Sequence, residues 1–300
     1  MSVSRLISAG VRRYFTNIFY IAALGITALA GLTTGLLIHG DLGTEPIFPA
    51  AAILSGMIAV VVSASNEFTN GINKNKLTCG HSRLSIYISE YIISVLLCLS
   101  LFAVFLIFSV PYNIRKLIKN LGSEFLPLIG GVLLMLLAYT AVFYAIVNFV
   151  PYRGAVAVII AFIFAVLSVC YTDKLESIAR AKPYYDRMTY NEEGNETGII
   201  ERVYNDDYIP HDTPKYWVID TVYRLDPGVY VMRYVEMYDP AIRTGKLTPY
   251  FNFDLQYEDF KTLDNDLISV LYRREVVWLF VTTGLFLCAG WLGFFRRNLK

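Results

Sequence analysis

The sequence predicts an all-α polytopic membrane protein: six transmembrane helices, an N-terminal interfacial elbow helix, and a small mixed α/β extracellular domain between helices 5 and 6. Three observations predict it. The 300 residues are 55% hydrophobic and only 17% charged, outside the usual balance of soluble domains on both counts. Six long windows, residues 17–38, 48–64, 91–110, 125–150, 155–171 and 276–295, contain no Asp, Glu, Lys, Arg or His. The charges are also segregated: residues 173–272 hold 19 acids and 11 bases, and the other 200 residues hold 6 acids and 15 bases.

Each element follows in order. Residues 1–15, "MSVSRLISAGVRRYF", place Val3, Ile7, Val11 and Tyr14 on one helical face and Arg5 and Arg12 opposite, the pattern of a helix lying in the membrane interface. The apolar run after it continues past "ALA" at 28–30 into "GLTTGLLI", which suits a retained span better than a cleaved signal peptide. Residues 16–171 then hold transmembrane helices 1 to 5, with a polar loop at 66–90 between the second and third. A bilayer core asks for about 20 apolar residues per helix, so the windows 48–64 and 155–171 are short. Gly31 and Gly35 form a GxxxG pair, and "IGG" at 129–131 and "AGWLG" at 289–293 add small residues; their expected role is close helix packing.

Residues 172–273 form the soluble block. "KYWVIDTVYRL" reads as a helix stopped by Asp226-Pro227-Gly228, "TPYFNFDLQYEDF" alternates like a strand, and "NEEGNETG" is turn-rich. Residues 274–295 form the last span, and 296–300 a basic tail. Six spans put both termini on one side. Arg5, Arg12, Arg13, Lys74, Lys76, Arg83, Arg153, Arg296, Arg297 and Lys300 fall on the side of the N-terminus, against Arg115, Lys116 and Lys119 on the other. The excess of bases marks the cytoplasmic face, so both termini are expected inside the cell membrane and the acidic block outside.

The chemistry that would announce a catalyst is missing from the sequence pattern. The windows carry no ionisable residue, so no proton relay or intramembrane protease site is expected. His39, His81 and His211 lie in three separate segments, and Cys79, Cys98, Cys170 and Cys288 show no metal spacing. "IRTGKLT" at 242–248 has Pro240 where a phosphate-binding loop needs glycine. The net charge of +1 gives no basic bias toward nucleic acid. The expectation is a chain without a catalytic site or cofactor of its own.

The run "NEFTNGINKNKLTCGHSRLSIYISEY" at 66–91 remains to be explained. Gly71 and Gly80 read as breaks around a short helix, with Lys74 and Lys76 available to a partner and Leu77 turned back toward lipid or protein. Glu67, Gly71, Asn75, Lys76, Gly80, Ser82, Arg83, Ile86, Tyr87, Ser89 and Glu90 together make a pattern that resembles the coupling loop of type-2 ATP-binding-cassette (ABC-2) exporter permeases. The basic N-terminal helix, the six-span layout and the tail "GFFRRNLK" are similar to that family, and "YIPHDTPKYWVIDTVYRLDPG" resembles the external region of its bacitracin and lantibiotic-immunity branch.

The resemblance implies a multi-pass permease in a bacterial plasma membrane. It would pair with a second copy or a related permease and contact membrane lipids. Separate cytoplasmic ATPase subunits, which bind ATP and Mg, would energise it, docking on Glu67, Gly71, Lys74, Asn75, Lys76, Gly80, Ser82 and Arg83. The charge-free spans suit an amphipathic peptide, lipid or hydrophobic drug as cargo. The alternative function is a membrane receptor or scaffold whose external block binds a ligand.

Overall fold

The computed structural model describes residues 3–37, 47–69, 72–121, 125–149, 159, 163, 183–190, 196–205, 208–210, 212–227 and 265–296. These are mostly helical. In chain order they form α1 (Val3–Phe15), α2 (Ile18–Leu37), α3 (Ile47–Thr69), α4 (Ile72–Thr78), α5 (Arg83–Leu121), α6 (Phe125–Phe149), β1 (Tyr184–Tyr190), β2 (Glu196–Tyr204), α7 (Pro214–Arg224) and α8 (Asn265–Arg296).

Among the described residues three helices are long and apolar enough to cross a membrane, Arg83–Ser109 within α5, Gly130–Phe149 within α6 and Arg273–Arg296 within α8. A fourth is added if α1 and the Ile18–Thr33 part of α2, bent by 67° at their junction, count as one. The bend is the elbow expected from the N-terminal pattern. In α3 the described apolar stretch is shorter, Ile53–Ser63. The expected fifth span at 155–171 lies outside the described residues, apart from helical Ile159 and Ile163.

Two helices run past the apolar stretches expected as spans. The third window ends at Val110, yet α5 runs on through Pro111 to Leu121. At 39 residues it is about 58 Å long, well beyond a hydrocarbon core of about 30 Å. The last helix likewise begins at Asn265 rather than at 274.

The bundle is centred on α5, α6 and α3. From Met135 to Val147 nearly every side chain of α6 is buried, and α5 contributes Ile86, Ile93, Leu97, Leu101 and Phe105 at helical spacing. α3 packs against both, α2 lies along α5, and α8 lies along α6. The peripheral pair exposes large apolar side chains, among them Ile18, Phe19 and Ile26 of α2 and Phe280, Leu285 and Leu292 of α8. A water-facing surface of that kind would be anomalous, whereas lipid accommodates it.

The small residues serve close approach, as expected. A Cβ on Gly31 would stand 2.7 Å from the Phe105 carbonyl oxygen, and one on Gly293 would stand 2.9 Å from that of Asn148. Gly290 lies equally tight against the Tyr87 hydroxyl and the Ala145 backbone. These three glycines set how near α2 comes to α5 and α8 to α6.

Of the block between α6 and α8, the described part is a hairpin and a helix. β1 and β2 pair antiparallel, from Tyr184 opposite Tyr204 to Tyr190 opposite Glu196, with an irregularity between Met188 and Tyr190. α7 matches the expected "KYWVIDTVYRL" helix: the Thr213 side chain caps it by accepting from the Tyr216 N–H, and Pro214 opens its first turn. The turn after α7 is tied to the bundle, because the Tyr139 hydroxyl donates to Asp226 Oδ1 at 2.9 Å. Tyr139 stands past the midpoint of α6, so this tie lies inside the bundle rather than at its rim. The expected strand in "TPYFNFDLQYEDF" and the first five residues of the loop "NEEGNETG" lie outside the described residues; the last three of that loop, Glu196, Thr197 and Gly198, are not turn but open β2, paired across to β1.

Candidate functional site

At one end of the bundle the polar loop becomes a short, firmly ended helix. α4 runs Ile72–Thr78 and stops at Gly80, whose φ of +85° is the left-handed conformation that only glycine adopts freely. The Gly80 N–H donates to the Leu77 carbonyl at 2.9 Å and the His81 N–H to the Lys76 carbonyl at 3.2 Å. This crossed pair is the Schellman ending, which satisfies carbonyls the helix would otherwise leave bare. Two residues on, Ser82 caps α5: its Oγ accepts from the Ser85 N–H at 3.1 Å, and its carbonyl from the Ile86 N–H. Helix, glycine break and helix therefore follow from local chemistry, as the sequence pattern suggests.

α4 has an inner and an outer edge. Asn73, Lys76 and Leu77, at i, i+3 and i+4, face the bundle, with Asn73 buried and Leu77 against the core; Asn75, Thr78, Cys79 and Gly80 are exposed. The inner edge meets a buried carboxylate. Lys76 Nζ lies 3.3 Å from Glu90 Oε1, with only 14% of the lysine side chain and 5% of the glutamate side chain exposed. On the other oxygen, Tyr144 of α6 shares its hydroxyl hydrogen between Glu90 Oε2 at 3.3 Å and the Tyr87 carbonyl at 3.2 Å. Burial pulls Lys76 below the usual lysine range, the Glu90 carboxylate opposes that shift, and the Arg13 guanidinium adds to it. The Asn73 amide stands beside the same carboxylate, although neither of its polar atoms completes a hydrogen bond.

A second polar chain joins the other helices at this end. The Tyr14 hydroxyl of α1 accepts from Arg13 Nη2 at 3.0 Å and donates to the Ser63 carbonyl of α3 at 2.7 Å. Ser63 Oγ meets Ser94 Oγ at 2.6 Å, and Ser94 Oγ donates to the Glu90 carbonyl at 2.9 Å. α8 is fastened by aromatic and polar contacts. The Tyr87 hydroxyl donates to the Leu287 carbonyl at 2.7 Å, and its ring packs against Trp291 and Phe294. Arg83 donates to the Phe295 carbonyl at 3.0 Å. Five helices are thus tied to the first three turns of α5.

The predicted site residues divide accordingly. Asn75, Gly80 and Ser82 are exposed on the loop. Lys76 turns inward, where the Glu90 carboxylate compensates its partly buried ammonium. Arg83 leans on the end of α8, its guanidinium 5.5 Å from the Phe295 ring centroid. Gly71 and the side chains of Glu67 and Lys74 lie outside the described residues. The resemblance pattern itself splits in two, since Ile86, Tyr87, Ser89 and Glu90 are core while 75–84 is surface or half-buried. Asn73, Glu90, Tyr144, Ser63 and Ser94 were not among the predicted site residues.

Among the described residues no group of three His, Cys, Asp or Glu could hold a metal ion. The arrangement positions α4; it contains no nucleophile paired with a base. No family model and no curated protein matches the chain.

Proposed function

We propose that the chain is the membrane subunit of an ATP-driven ABC-2 type exporter, with α4 as the coupling helix that receives motion from a separate ATPase. The observation that carries this reading is the Lys76–Glu90 pair, which pins a short loop helix to the centre of the bundle. A connector needed only to join two spans gains nothing from being held by a buried charge. A lever does, because it must move as one body with the helices it drives.

On this reading the chain crosses a bacterial plasma membrane six times, with the α4 end, both termini and the basic segments in the cytoplasm. The block at 172–273 lies outside, with the turn after α7 reaching down into the bundle to Tyr139. Two permeases, alike or related, form the pathway, and an amphipathic peptide, lipid or hydrophobic drug passes between uncharged helices. ATP and Mg belong to the partner. The outer edge of α4, small and neutral at Asn75, Thr78, Cys79 and Gly80, offers shape and backbone groups to a groove on that partner.

Co-purification tests it. The full chain, co-expressed with each ATP-binding-cassette ATPase of its source cell in turn, is expected to retain one of them through detergent extraction and to stimulate its hydrolysis. Gly80→Pro, which cannot adopt a positive φ and loses the N–H to Leu77, is expected to abolish both. An intact membrane protein that captures no ATPase, or a Gly80→Pro protein that transports normally, overturns the proposal.

A further inference from the structure

α1 has the amphipathic pattern of an interfacial helix, but its apolar side does not face lipid. Ile7 and Val11 pack on the core, Tyr14 is buried and bonded to Ser63, and Gly10 sits so close to α5 that a Cβ would meet Ile93 Cδ1 at 2.3 Å. The side left outward carries Arg5, Ser8, Ala9, Arg12 and Thr16, which with Arg13 line an open groove of about 560 Å³.

We propose that this outward face of α1 binds the headgroup phosphate of an anionic phospholipid, held between Arg5 and Arg12 over Ser8. Ser8 is three residues after Arg5 and four before Arg12, so the three side chains are neighbours on one helical face. Two guanidinium forks flanking a hydroxyl suit a phosphate, whose oxygens accept paired N–H bonds. α1 contains no Asp or Glu to neutralise them. Arg13 is the inward member of the three, its guanidinium 4.7 Å from the Tyr14 ring centroid.

Depth also fits. Immediately past the groove, Phe15, Ile18 and Phe19 are 45%, 72% and 68% exposed at the 67° elbow into α2. Exposed apolar rings mark the edge of the hydrocarbon, and the next group of the bilayer beyond that edge is the headgroup phosphate. The lipid therefore fills the outer side of α1 while α5 fills the inner side, and the elbow is held from both.

The test uses the purified full chain in neutral detergent, with no ATPase present, and native mass spectrometry of retained lipid. Phosphatidylglycerol is titrated against phosphatidylcholine of the same acyl chains. The wild-type protein is expected to retain phosphatidylglycerol preferentially. Arg5→Gln with Arg12→Gln should weaken retention about 25-fold, since each arginine near an anionic headgroup contributes roughly fivefold. Arg296→Gln, a basic residue at the same end of the bundle, should leave it unchanged, and an unaltered unfolding curve shows that the double variant is folded.

Equal retention of both lipids, undiminished retention by the folded double variant, or equal loss with Arg296→Gln overturns the proposal. So does displacement of the lipid by glycerol phosphate alone at matched concentration, which would make the site one for free phosphate. A double variant that keeps its lipid but loses ATPase capture would assign the face to a protein partner.

Discussion

The buried pair of Lys76 and Glu90 sets a double-mutant cycle with unequal arms. Lys76→Met leaves a carboxylate that is 95% hidden, supported only by half a hydrogen bond from Tyr144 and by the unaligned Asn73 amide. Stranding a buried charge in this way costs about 3–5 kcal/mol. Glu90→Gln keeps the shape and an acceptor for Tyr144, and the ammonium it strands is 14% exposed at the rim, so it can swing toward water. The expected cost is about 1–3 kcal/mol. The double variant buries two neutral groups and should lie within about 1–2 kcal/mol of wild type, because removing both partners of a buried pair is often close to neutral. The coupling energy is then about 2–7 kcal/mol, measured by reversible unfolding of the detergent-solubilised protein under increasing SDS. Additive single variants, with a coupling below about 0.5 kcal/mol, would mean that Lys76 is not held on Glu90.

Gly80→Ala adds a methyl group in open space but forces an L-residue to φ +85°, so about 1–2 kcal/mol should be lost by the same unfolding assay. Gly80→Asn should recover part of it, since asparagine tolerates that region. Gly293→Ala drives a Cβ into the Asn148 backbone at 2.9 Å and 3.1 Å, with an expected loss of about 1–3 kcal/mol. Gly25→Ala, with nothing within 4 Å, should be neutral or slightly stabilising. Cys79 is exposed beside α4. With Cys170 and Cys288 replaced by Ser, it should react with a membrane-impermeant maleimide only after cells are opened; labelling in intact cells would invert the proposed topology.

What the sequence made legible, and what it hid, divides by the range of the interaction. The charge-free windows marked α3, α5, α6 and α8 because hydrocarbon excludes charge residue by residue. The break at Gly80 is legible for a similar reason: a glycine stop is local. The extension of α5 was hidden by Pro111 and a group of bases that read as a loop, although Ile114, Leu117, Ile118 and Leu121 repeat at helical spacing. The β1–β2 hairpin is not legible in the sequence because neither strand alternates cleanly, although both "YYDRMTY" and "ETGIIERVY" are rich in strand formers. Glu90 stands in the resemblance pattern, but its burial does not show there: the uncharged third window opens at Tyr91, one residue past the carboxylate. Its partners are 14 and 54 residues away, at Lys76 and Tyr144, and no periodicity encodes a contact at that separation.

That inward turn of Lys76 changes what the loop can do. A buried ion pair is a weak source of net stability, since desolvation offsets much of its attraction, but it is directional and tolerates little slippage. Here it fixes α4 against α5, and Tyr144 carries the same carboxylate across to α6. Displacing α4 therefore displaces the two central helices together or breaks the pair, with no soft intermediate. α2 and α8 have no described bond to this carboxylate; α8 is joined nearby through Tyr87 and Arg83, and α2 lies along α5 on the other side. On the proposed reading, force applied at the neutral outer edge of α4 enters the centre of the bundle first and reaches α2 and α8 only through packing. The lysine expected to grip a partner instead grips the protein itself, and that is the more useful place for it, because a lever is defined by its attachment to the load.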